Sequence, residues 1–117
     1  MKTKLVCAVL LLSALPAMAA TTFLEGHGTD SCAEFLQARA ISPAVEDSYW
    51  VWTEGFMSGM NTMLMAAKSP GRNLSATSQD DQRQAVRDYC SSHPNTAFEN
   101  AVVKILFTFP EDPAAAK

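Results

Sequence analysis

Residues 49–61 read Tyr49-Trp50-Val51-Trp52-Thr53-Glu54-Gly55-Phe56-Met57-Ser58-Gly59-Met60-Asn61, and they hold both tryptophans and two of the five glycines. Through and beyond this stretch apolar residues recur at Val45, Tyr49, Trp52, Phe56, Met60 and Met63. That three- and four-residue spacing lines up one face of a helix. The pattern predicts the middle of the longest helix of the chain. Gly55 and Gly59 sit four apart beside the apolar face. Each glycine weakens a helix interior by about 1 kcal/mol relative to alanine, so the pair points to a place where another backbone comes close, within the domain or across a homodimer. Pairing of membrane helices through Gly-x-x-x-G is the rival. Of residues 49–67, seven are polar or glycine, and Glu54 alone would cost about 2.5 to 3.5 kcal/mol in lipid. The helix is therefore read as soluble and central, with Trp52, Gly55, Phe56, Gly59, Met60 and Met63 as its packing or partner surface.

Outward from that helix, the chain divides by composition. Lys2 and Lys4, an apolar run from Leu5 to Leu15, and Ala17-Met18-Ala19 make residues 1–19 a signal peptide with a small-residue cleavage site. Export to the periplasm follows, with no membrane span in the mature chain. Cys7 leaves with the signal. Losing Lys2 and Lys4 leaves seven basic side chains against twelve acidic ones, a formal balance of −5, which argues against a nucleic-acid partner. The remaining 98 residues suffice for one domain with one modest core.

Two cysteines stay in the mature chain, Cys32 and Cys90, in a compartment where thiols oxidise. A bridge between them closes a loop of most of the domain, worth about 4 kcal/mol on the chain-entropy estimate. The weaker alternative is a free or metal-binding pair. Zinc wants about four ligands, and only His27 and His93 could readily join these two.

Residues 20–29 carry two glycines around His27 and no helical period, so they read as a flexible arm whose Phe23 and Leu24 tuck against the core. Ser31-Cys32-Ala33-Glu34 fits a capping box, opening a short helix with Cys32, Phe35, Leu36 and Arg39 on one side. Ser42-Pro43, serine as cap and proline at the first helical position, starts the long helix, and Ser69-Pro70-Gly71 ends it near Lys68. Residues 70–77 are the one loop. Ser78-Gln79-Asp80-Asp81, or the same pattern one residue earlier, caps a third helix with Val86, Tyr89 and Cys90 on its apolar side. Thr96-Ala97-Phe98-Glu99 caps a fourth, whose stripe is Phe98, Ala101, Val102, Ile105, Leu106 and Phe109. Pro110 stops it, and residues 111–117 should fray. The expectation is an all-α, single-domain four-helix fold over residues 30–110, closed by one disulfide.

Little in this inventory carries chemistry. A triad hydrolase needs a nucleophile, a base and an orienting acid, and the only mature histidines are His27 in the glycine-flanked arm and His93 beside a proline. His27 reads as solvated and His93 as a turn residue. Glu54 reads as facing solvent, or as partly buried with Arg83 or Arg87 for partner. There is no glycosidase-type carboxylate pair, phosphate loop or zinc signature. The chain is read as non-enzymatic, with no cofactor and no metal. Met57, Met60, Met63 and Met65 crowd the second half of the long helix, as core filling or as a deformable apolar surface for partners.

Cys32-Ala33-Glu34-Phe35-Leu36, a long helix, then Tyr89-Cys90-Ser91-Ser92-His93-Pro94 leading into Phe98, resembles the periplasmic HdeA/HdeB acid-stress chaperone family. The likeness spans residues 30–109. It implies a helical domain closed by Cys32 and Cys90, and a passive chaperone that exposes apolar surface to unfolded clients when acid protonates its carboxylates. This chain departs from the family in its low lysine content, only Lys68, Lys104 and Lys117 after the signal. Gly55-Phe56-x-x-Gly59, His93-Pro94 and Phe109-Pro110 also resemble the Rap/Tai-type periplasmic immunity proteins. That likeness implies a protein that binds and inhibits a peptidoglycan amidase toxin delivered by type VI secretion.

Overall fold

The computed structural model describes residues 24–112. The expected signal peptide, residues 20–23 of the arm and residues 113–117 lie outside them. Four α-helices, α1 (Cys32–Ile41), α2 (Val45–Ala66), α3 (Gln79–Ser92) and α4 (Phe98–Leu106), form an all-α domain with a disulfide between Cys32 and Cys90. Both cysteines are fully buried, their Cα atoms 4.8 Å apart across 58 residues of sequence.

Local chemistry starts two of these helices as the sequence predicts. At α1 the Ser31 hydroxyl accepts from the Glu34 N–H while the Glu34 carboxylate accepts from the Ser31 N–H, the reciprocal capping box. Those Ser31 bonds hold the exposed Glu34 carboxyl below its usual value. At α3 the Ser78 hydroxyl accepts from the Asp81 N–H. The other two starts differ. Ser42 and Pro43 precede α2 in a separate turn, and their carbonyls accept from Val45 and Glu46 N–H, so no side chain caps the long helix. Thr96 does not cap α4; a main-chain bridge between Ser31 and Ala97 brings the Phe98 N–H to the Asp30 carbonyl at 2.7 Å instead. Backbone from the far end of the chain thus satisfies the donor that a cap would have served.

The core gathers on α4. Phe98, Ala101, Val102, Ile105, Leu106 and Phe109 are all buried, the whole of the expected stripe. Phe98 sits among rings, with centroids 4.9 Å from Phe35, 4.9 Å from Tyr49 and 6.0 Å from Trp52, tilted or edge-on as ring quadrupoles prefer. The long helix enters this core on a face rotated from the expected one. Its buried residues are Glu46, Tyr49, Trp50, Thr53 and Met57, whereas Trp52, Phe56 and Met60 are half-buried and Met63 is 71% exposed. Two polar members of the buried face, Thr53 and Glu46, are satisfied, while the buried Trp50 indole N–H has no hydrogen-bond partner among the described residues. Thr53 donates to the Tyr49 carbonyl at 2.8 Å, and Glu46 is held by two arginines.

Two segments read as irregular are structured. Residues 26–29 form a 3-10 turn packed against α2: Trp52 Nε1 donates to the Glu25 carbonyl at 3.0 Å, and Gly26 takes a left-handed φ of 74°. A Cβ placed on Gly28 would fall 2.3 Å from the Trp52 ring. Within the described domain a close approach is found here and not at Gly55 or Gly59, where a Cβ has no described atom within 4 Å. After α2, β1 (Gly71–Arg72) pairs antiparallel with β2 (Glu111–Asp112), so the first residues of the expected frayed tail are tied down. Asn61 holds the other edge of β1, accepting from the Arg72 N–H and donating to the Arg72 carbonyl, both at 2.8 Å. Gln82, buried on α3, donates to the Leu74 and Thr77 carbonyls and fixes the rest of the 70–77 loop.

Two measurements follow from this packing. Cys32→Ser is expected to lower unfolding free energy by about 4 kcal/mol in a denaturant titration, and thiol labelling of the folded wild type should find no reactive cysteine. Gly28→Ala is expected to cost about 1 to 3 kcal/mol by overpacking against Trp52, while Gly55→Ala, in open space on a helix, gains up to about 1 kcal/mol. Equal melting temperatures for the two alanine variants would contradict the packing at Gly28.

Candidate functional site

The side chains capable of chemistry or recognition cluster along α2, and its three exposed or half-exposed edges differ in character. At its N-terminal end Glu46 lies between two guanidinium groups. Arg39 Nε donates to Oε2 and Arg87 Nη1 to Oε1, each at 2.5 Å. One carboxylate therefore ties α1, α2 and α3 together. Burial alone would push the Glu46 carboxyl upward, but the hydrogen bonds and charges of Arg39 and Arg87 outweigh it and hold the carboxyl below its ordinary value. Arg83 beside it donates to Asp47 at 2.8 Å and lies 5.2 Å over the Trp50 ring. Arg83 and Arg87, considered from the sequence as partners for Glu54, are thus engaged with Asp47 and Glu46. Glu54 is exposed and accepts from Gln79 Nε2 at 2.7 Å.

The second edge brings together Ser48, His27 and Asp30. His27 Nε2 is 3.0 Å from Ser48 Oγ and His27 Nδ1 is 3.1 Å from Asp30 Oδ2, while the Tyr49 hydroxyl donates to the same Asp30 oxygen at 2.7 Å. The His27 ring stacks on Tyr49 at 3.7 Å, so this histidine is docked, not free in solvent. Burial, then the Asp30 carboxylate, push the Tyr49 phenol upward. The serine-histidine-aspartate order is that of a hydrolytic triad. Its surroundings differ. The Ser48 hydroxyl donates to the Val45 carbonyl at 2.8 Å, and the nearby Val45, Glu46 and Asp47 N–H groups are spent on the Ser42, Pro43 and Ala44 carbonyls. Those amides are not available to stabilise an oxyanion, which in acyl transfer is worth about 10²–10³ in rate for each donor. The cluster is a latch between the 3-10 turn and α2. His93 likewise has a structural place, with Nδ1 2.9 Å from the Tyr89 carbonyl and its ring stacked on Tyr89.

The third edge is apolar. Leu24, Phe56, Gly59, Met60, Thr62 and Met63 line an open groove of about 680 Å³ along the C-terminal half of α2. Trp52 stacks on Phe56, one of the lining residues, at 4.9 Å. Four of the six residues singled out from the sequence, Phe56, Gly59, Met60 and Met63, therefore meet in one groove; Trp52 borders it, and Gly55 lies one turn before Gly59 on the exposed side. Met57 belongs to the core and Met65 is 50% exposed, so the methionine cluster divides between filling and surface. Across α2, Trp50, Glu54, Met57, Ser58, Leu74, Gln79 and Gln82 line a smaller cavity of about 170 Å³.

Among the described residues no three His, Cys, Asp or Glu side chains are grouped to hold a metal ion, and no helix is long and apolar enough to cross a membrane. No protein family, curated protein or solved structure significantly matches this chain.

Glu46 sets the expected pH dependence. Its folded-state value is lowered, so its contribution to stability is complete above the unfolded-state value near 4.3 and is lost as pH falls through the folded one. Glu46→Gln is expected to cost about 2 to 3 kcal/mol at pH 7 and to flatten the decline of stability below about pH 5. Parallel pH–stability curves for variant and wild type would show that another carboxylate governs the acid limb.

Proposed function

We propose that this domain works by binding another protein through the apolar groove of α2, and performs no catalysis. The observation that carries this reading is the groove itself, a large open apolar surface in the folded state, floored by glycine and walled by methionine and phenylalanine. Such side chains form a deformable contact surface that fits more than one partner. Export to the periplasm, expected from the sequence, belongs to the same proposal.

Two finer forms of the reading have separate support. An HdeA-like passive acid-stress chaperone is favoured by the Glu46 clamp, because protonating one carboxylate releases the contact that joins three helices. With its twelve acids neutral and both histidines charged, the mature chain changes from a formal −5 to about +9, which adds cationic self-repulsion. Binding to one cognate protein, as an immunity protein binds a peptidoglycan amidase toxin, is favoured by a groove already open without acid.

One comparison tests the binding reading and separates its forms. Between about pH 2 and 3 a chaperone binds a hydrophobic dye and keeps an unrelated acid-denatured enzyme soluble; an immunity protein leaves that client unprotected and binds one amidase at pH 7. Met63→Asp, at a 71% exposed position, is expected to weaken whichever binding is seen by about tenfold or more, with the melting temperature unchanged. Binding that survives Met63→Asp would place the contact elsewhere and reject the groove.

A further inference from the structure

We propose that Met63 is an oxidation site, and that conversion of its thioether to the sulfoxide by hydrogen peroxide switches off binding in the apolar groove of α2. The switch rests on the reading of that groove as a protein-contact surface and adds its regulation; the site itself does not depend on that reading.

The methionines of α2 differ in access, which decides where an oxidant acts first. Met57 is 2% exposed and belongs to the core, and Met60 is half-buried, whereas Met65 is 50% and Met63 71% exposed. On the helix the residues three and four places from Met63 are Gly59, Met60, Ala66 and Ala67, and three of these are too small to shelter a thioether. Met63 is neither in the buried core nor among the partly buried residues packed on it, so a change at its sulfur disturbs no described core contact. Of the two exposed sulfurs, one belongs to the groove. Met63 lines it with Leu24, Phe56, Gly59, Met60 and Thr62, and Met65 does not.

The step is a two-electron oxygen transfer. A lone pair of the Met63 sulfur attacks one peroxide oxygen, the S–O bond forms as the O–O bond breaks, and the departing hydroxide takes the proton of the transferred oxygen and leaves as water. Sulfur loses two electrons and the peroxide is reduced. A flexible apolar side chain thereby acquires a polar S=O group that accepts hydrogen bonds.

The groove offers that oxygen no side-chain donor. Leu24, Phe56, Met60 and Met63 have apolar side chains, and the Thr62 hydroxyl donates to the Ser58 carbonyl at 3.0 Å. The main-chain N–H groups from Phe56 to Met63 lie inside α2, where they serve carbonyls one turn before. Water therefore satisfies the sulfoxide, and only while the groove is open. An apolar partner side chain laid over it would leave a buried acceptor unpaired. Oxidation thus favours the empty groove. A dithiol-dependent reductase reverses the step, returning the thioether and water as the dithiol becomes a disulfide.

The test uses the mature, disulfide-intact chain at pH 7, treated with hydrogen peroxide and followed by peptide mass mapping, with Nile red as the apolar probe of the groove. Met63 is expected to oxidise at least about tenfold faster than Met57, and ahead of Met60. In Met65→Leu, changed off the groove, the first product is oxidised at Met63 alone, and its melting temperature should match that of the reduced form. Its dye dissociation constant should rise about tenfold and return to the starting value after treatment with methionine sulfoxide reductase. Met63→Leu keeps the apolar bulk and removes the sulfur, so it should bind the dye and stay indifferent to peroxide. Met57 or Met60 oxidising as fast as Met63 overturns the site. Dye binding that survives in the Met63 sulfoxide, or that peroxide abolishes equally in Met63→Leu, overturns the switch and leaves the groove reading intact. A reduced protein whose dye binding is absent, or unaffected by Met63→Asp, overturns the groove reading and the switch together.

Discussion

The buried junction of Cys32 and Cys90 is the constraint on which the remaining contacts depend. It fixes α1 to α3 through two fully buried side chains, and the start of α1 then receives α4 through backbone bonds from Phe98 to Asp30 and from Cys32 to Thr96. The helix α4 is only nine residues long, too short to be stable alone in water. Its order comes from this entry and from Phe98 meeting Phe35, Tyr49 and Trp52. A domain of this size buries a limited fraction of its surface, so a covalent link that removes unfolded-state freedom and a shared aromatic centre act on the same weakness.

Sequence periodicity served well where apolar residues occupied the buried face without interruption. The six-residue stripe of α4, the Ser31 and Ser78 caps and the two core-facing cysteines were legible for that reason. On α2 the criterion failed in an informative way. Its buried face contains Glu46 and Thr53, which a count of apolar residues rejects, so the stripe read from Val45 to Met63 was displaced to the neighbouring face. That displaced stripe is the groove edge. Glu46 could have been noticed, since it shares the helical spacing of Tyr49, Thr53 and Met57. The docking of residues 24–29 was hidden because a 3-10 turn has no apolar period and its anchor, Trp52, lies more than twenty residues away.

The glycines divide along the same line. A glycine demanded by a neighbour and a glycine left open look identical in sequence, and the spacing of Gly55 and Gly59 drew attention away from Gly28. In the folded chain Gly26 and Gly28 both face the Trp52 ring, Gly28 the more tightly, while a Cβ at Gly55 or Gly59 would meet no described atom within 4 Å. The helical cost of Gly55 and Gly59, about 1 kcal/mol each, is not offset by a contact with any described atom.

The two tryptophans differ in a way that makes the molecule its own optical instrument. Trp50 is almost fully buried beneath Arg83, whereas Trp52 is half-buried, stacked on Phe56 and bonded through its indole to the Glu25 carbonyl. The first indole reports on the interior between α2 and α3, the second on the seam where the start of the described chain meets the groove. Replacing either one leaves a single fluorophore, and the emission of Trp52 alone then distinguishes release of the N-terminal turn from melting of the helices beneath it.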